Sequence, residues 1–126
     1  MPVLTEPPSM GDVLKYEVNP NYTREVITLL IGTNYPSGSV LGRITASGKY
    51  TLSAATGADG AQVAVAVLLY PVNATLADAV GIVVARGPSI VSRAGLAYEG
   101  TLNDAAKITA KIAQLAAVGI IARDGV

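Results

Sequence analysis

The sequence predicts a mainly β fold with one C-terminal α-helix, and three observations lead there. Short β-branched and Leu-rich runs (EVITLLIG, QVAVAVLLY, GIVVARG) recur between turn signals; apolar residues fall at clear helical spacing only near the C-terminus; and prolines interrupt the N-terminal segment ahead of both. At 126 residues the chain fits a single domain. Residues 1–21 read as a flexible N-terminal arm and residues 22–126 as a compact β-rich body.

In the arm, Pro2, Pro7, Pro8 and Pro20 remove backbone donors and Gly11 adds freedom. Within it, LKYEV sets Leu14, Tyr16 and Val18 on one side and Lys15 and Glu17 on the other. This is strand periodicity without an obvious partner nearby. Two readings stay open: a disordered tail, or a segment that orders by adding a strand to a partner's sheet edge.

The body opens with a strand in residues 25–32, followed by a turn in residues 34–39, NYPSGS. VLGRIT and KYTLSA flank ASG and predict a hairpin, with Gly48 free to take positive φ. TGADG is a second turn. The apolar strand QVAVAVLLY ends at Pro71, and GIVVARG ends at Pro88. SIVSRAGLAYEG is short and ambiguous. A helix follows, with Asn103 as its cap and Asp104 complementing the positive end of its dipole. Ala105, Ile108, Ile112 and Leu115 share one face, a core face or a subunit interface, with Lys107, Lys111 and Gln114 off it. Gly119 ends the helix, and IIAR resumes as a strand.

Composition excludes several classes of function. Nine basic and nine acidic residues cancel, which leaves no basic footprint for nucleic acid and no charge run for an anionic membrane. The longest apolar stretch, AQVAVAVLLY, is far short of the roughly 20 residues a bilayer needs. The N-terminus has neither a basic n-region nor an apolar h-region, so synthesis in the cytoplasm is expected. Histidine and cysteine are absent, which removes the commonest general base and the usual ligands of structural zinc. The carboxylates Glu6, Asp12, Glu17, Glu25, Asp59, Asp78, Glu99, Asp104 and Asp124 are scattered. GADG lacks the lysine and hydroxyl of a phosphate loop and the repeated acids of a calcium loop, and reads as a turn, as does GLAYEG. No catalytic residue, cofactor or metal is expected. With abundant Ala and Val and no Phe or Trp, a domain of this size is marginal alone and gains from subunit association.

The order of these signals resembles that of the lambda-type bacteriophage head decoration proteins. The matching stretches are GSVLG at residues 38–42, SGKY at 47–50, DGAQ at 59–62, VNAT at 72–75, VVARG at 83–87 and LAAVGII at 115–121. The similarity covers about residues 22–123. The resemblance implies a β-clip or tulip-like body and a non-enzymatic capsid cement. It further implies a homotrimer that sits outside the head at threefold and quasi-threefold positions and clamps neighbouring major capsid protein subunits. The N-terminal arm would order there on capsid strands, which makes Leu14, Tyr16 and Val18 the candidate capsid-binding residues. The alternative is a small β-barrel ligand-binding or accessory module, which would need convergent polar groups in a pocket. A secreted adhesin-like domain is disfavoured by the missing signal peptide.

Overall fold

The hairpin predicted around ASG is present and forms part of a closed barrel. The computed structural model describes residues 13–124. The first part of the predicted flexible arm, residues 1–12, lies outside the described residues. Strands β1 (Leu14–Glu17), β2 (Arg24–Leu29), β3 (Thr33–Tyr35), β4 (Val40–Arg43) and β5 (Tyr50–Leu52) come first, with a short helix α1 (Pro20–Thr23) between β1 and β2. Then follow β6 (Ala64–Leu68), β7 (Val72–Ala74), β8 (Ala79–Val84), β9 (Ser89–Ser92), helix α2 (Ala105–Ala117) and β10 (Ile120–Arg123).

The barrel runs β2-β5-β4-β6-β8 and closes between β8 and β2. β3 and β7 form a separate ribbon, and β1-β9-β10 a three-stranded sheet. The long apolar runs are explained by two cores. Leu41, Ala66, Leu68 and Val83 fill the barrel core, whereas their neighbours Val40, Val67, Leu69 and Val84 join a second core. That second core lies under the three-stranded sheet and α2, with Leu14, Val91, Leu115 and Ile120. A strand buried on both faces has no polar side to alternate with, so its sequence reads as continuous apolar.

Several expectations need correction. The predicted turn at residues 34–39 begins two residues too early and hides a strand: β3 pairs antiparallel with β7, and Tyr35 is fully buried in the barrel core. Its hydroxyl donates to the carbonyl of Leu30 at 2.8 Å. A three-residue strand is too short to show a period, and β7 is equally short. The helix cap is Asp104, not Asn103; its Oδ1 accepts from the backbone N–H of Lys107 at 2.9 Å. The predicted inward face of α2 holds for Leu115, which is buried, and for half-buried Ile108 and Ile112, but not for Ala105, and it omits Lys111. Ala105 is exposed, and the fully buried positions are Lys111 and Leu115. Finally, GLAYEG is more than an exposed turn: Leu96 is buried, and Ala97 bridges to Ser39.

Gly119 does end α2, at φ +86°, a conformation that costs glycine little. It also meets Gly87 so closely that a Cβ at Gly87 would stand 1.8 Å from the Gly119 carbonyl oxygen. Two glycines therefore let the helix end seat against the start of β9.

Candidate functional site

The three candidate residues lie on or beside β1, but they do not share one environment. β1 pairs antiparallel with β9, matching Leu14 with Val91 and Tyr16 with Ile90, and a bulge falls between those two pairs. The bulge inserts one residue and shifts the alternation by one. As a result Leu14 is buried in the second core, whereas Tyr16 and Val18 are 51% and 50% exposed. The strand character of LKYEV is present, and its partner is β9 of the same chain. Leu14 has a packing role; Tyr16 and Val18 remain on the surface.

The shifted phase also turns Glu17 toward the body, where its side chain is only 9% exposed. There it accepts from the Thr23 hydroxyl at 2.6 Å and from Arg24 Nη2 at 2.6 Å and Nε at 3.0 Å. Burial pushes the Glu17 carboxyl up, but the hydrogen bonds from Arg24 and Thr23 and the Arg24 charge outweigh it, holding the group below its ordinary range. Asn19 caps α1 by accepting from the Asn21 N–H at 2.9 Å, and the Val18 N–H donates to the carbonyl of Pro88 at 3.1 Å. The path from β1 into β2 is thus fixed at both ends. It carries exposed Val18 and Tyr22, the latter with its ring 5.5 Å beneath the Arg86 guanidinium.

β1 is an edge strand of its sheet, as is β10. Its brevity and its bulge are the usual protections of an open edge against indiscriminate pairing. A second exposed apolar surface lies on the outer side of the β2–β8 ladder. Val26 sits directly opposite Ile82, and Thr28 opposite Val80. Val26 and Val80 are 69% and 65% exposed. The continuous apolar runs hide this outer face among the doubly buried strands. The available signal was the apolar Val26 and Val80 at positions that alternation places away from the barrel core.

The described carboxylates are largely occupied by structural contacts. Asp59 Oδ1 accepts from the Ala61 N–H at 3.0 Å, closing the GADG turn as expected. Asp78 pairs with Lys49 at 2.6 Å and accepts from the Ile31 N–H at 2.7 Å. Glu99 accepts from the Thr101 N–H and hydroxyl. Among the described residues no group of three or more His, Cys, Asp or Glu could hold a metal ion, and no helix is long and apolar enough to cross a membrane.

A family model for bacteriophage lambda head decoration protein D matches residues 3–120. The chain belongs to that family. It is therefore a phage head decoration protein, a structural component associated with the capsid. A comparison with curated proteins finds no match. For a head decoration protein the surfaces just described, the β1 edge with Tyr16 and Val18 and the outer β2–β8 face, are the features of interest, since its work is contact with other proteins.

Proposed function

We propose that this head decoration protein binds the outside of the phage capsid as a trimer, at threefold and quasi-threefold positions, and there holds neighbouring major capsid protein subunits together. The observation that carries the reading is the family match across residues 3–120. The two exposed surfaces support it and divide the work. The outer β2–β8 face is apolar at Val26, Val80 and Ile82, the character of a permanent contact between copies. The β1 edge, with Tyr16 and Val18 and with residues 1–12 leading into it, is assigned to the capsid. Three such edges in one trimer multiply a weak individual contact. The protein is made in the host cytoplasm and ends on the outer surface of the virion.

The test is occupancy of expanded, undecorated heads by the purified protein, with its mass in solution measured in parallel. Saturable binding by a species three times the 12.8 kDa chain mass is expected. A monomer at micromolar concentration would remove the trimer, and absence of binding to heads would remove the whole reading.

A further inference from the structure

One end of the barrel is open. The β3–β7 ribbon continues from the Leu29–Ala79 end of the β2–β8 ladder; at the other end lies a cavity of about 500 Å³. Ile27, Tyr50 and Val65, all packed on the barrel core, line it together with Val118 from the end of α2. Its charged lining is unequal. Arg86 is engaged, donating to Glu25 Oε1 at 2.5 Å and to the carbonyl of Tyr22. Arg43, supplied by β4, has no ion-pair partner among the described residues and is exposed to solvent. The cavity therefore sets Ile27, Tyr50, Val65 and Val118 beside a charged rim of Glu25, Arg86 and Arg43, in which Arg43 alone has no ion-pair partner among the described residues.

We propose that this barrel mouth is a second docking site, one that takes an apolar side chain from a capsid subunit and pairs a neighbouring carboxylate of that subunit with Arg43. The inference rests on the reading that the chain decorates a capsid. An apolar centre with a polar rim is the anatomy of a protein contact, and an unpaired arginine fits a carboxylate through two parallel hydrogen bonds. Continuity with the β1 edge, which the proposed function assigns to the capsid, favours a capsid subunit over a second copy as the occupant. The rim is joined to the β1 region through Arg86, which holds the Tyr22 carbonyl and covers its ring, and Tyr22 follows exposed Val18. The mouth and the β1 edge thus form one continuous surface.

The experiment compares wild type with R43E, R43A and R43K on expanded, undecorated heads. Because Arg43 is exposed and unpaired, all four proteins should melt alike and keep the same mass in solution. R43E is expected to bind about tenfold or more weakly than wild type, R43A less severely so, and R43K between R43A and wild type, because lysine keeps the charge but not the two-pronged geometry. The wild-type advantage should shrink as salt is raised. Equal occupancy by wild type and R43E would overturn the barrel-mouth contact while leaving the decoration reading intact. Failure of wild type to bind would overturn both. A photo-crosslinking side chain at position 43 gives a second readout: an adduct with the capsid subunit is expected, and an adduct formed only between copies of this chain would overturn the assignment.

Discussion

Glu17 shows how a single charged residue decides the path of the chain. Its carboxylate gathers the Thr23 hydroxyl and the Arg24 guanidinium, so β1, α1 and β2 meet at one nearly buried point. The sequence placed Glu17 on the polar side of an exposed strand; a one-residue bulge, invisible to periodicity, turned it inward. Its pH behaviour follows from the direction of its shift. The folded pKa lies below the ordinary 4.5, so the ionised form favours the folded state. The stability gained is present above the unfolded value and is lost as pH falls through the folded one. E17Q should therefore cost roughly 1–3 kcal/mol near neutral pH. That gap to wild type should close in acid, as denaturant unfolding at about pH 7 and about pH 2 would show. A gap of equal size at both would mean that shape, not charge, is what Glu17 supplies. Lys111 was equally hidden from the sequence. It is 2% exposed, and its ammonium donates to Ser53 Oγ at 3.0 Å and to the Gln62 carbonyl. Burial holds its pKa below the usual lysine value, with the Glu99 charge opposing. A helical wheel sorts residues by polarity, and it cannot show that a lysine has backbone and hydroxyl acceptors waiting inside.

At the scale of elements, what was legible depended on length and on where the partner lay. The β4–β5 hairpin, the β6 and β8 runs, helix α2 with its Gly119 stop, and the β10 strand all carry a local signal, and all are present. β3 and β7 have three residues each and are set by their pairing with each other, so local pattern could not find them. β1 was recognised as a strand, yet its partner β9 lies more than seventy residues along the chain in the segment whose pattern was ambiguous. This pairing changes where the arm can be cut. Val13 and Leu14 are core residues, and losing such side chains costs about 2–5 kcal/mol for a leucine alone. Deletion of residues 1–12 should leave the melting transition unchanged while weakening head binding. Deletion of residues 1–18 should lower the melting temperature sharply or abolish cooperative unfolding, because it also removes Glu17 and the β1–β9 ladder. Thermal unfolding of the two truncations decides this; similar melting temperatures would show that β1 adds little to the body.

At the scale of the whole molecule, closure of the barrel and the second core around it arise from long-range pairing, and Ala- and Val-rich strands buried on both faces make that arrangement possible. The same composition leaves a weakness. Small side chains bury little area each, at about 25 cal/mol per Å², so a chain of this size gains from covering any apolar face it leaves outside. The outer side of the β2–β8 ladder is such a face. It lies on neither core, and Val26, Val80 and Ile82 form it from two directly paired strands. If copies associate through it, a charge there should separate them without disturbing either core. Val80 is the best position, since it is well exposed and its cross-strand neighbour is Thr28, which offers a lysine no charge to pair with. V80K should therefore fold with a far-ultraviolet spectrum like that of wild type. Its light-scattering mass should fall from three times 12.8 kDa toward 12.8 kDa as the protein is diluted. Binding to heads should fall with it, because the gain from three linked contacts is lost even though Tyr16, Val18 and Arg43 are untouched. A V80K protein that stays trimeric at the same concentrations would place the contact between copies on another face. One that becomes monomeric yet decorates heads as well as wild type would show that each copy binds the capsid on its own strength.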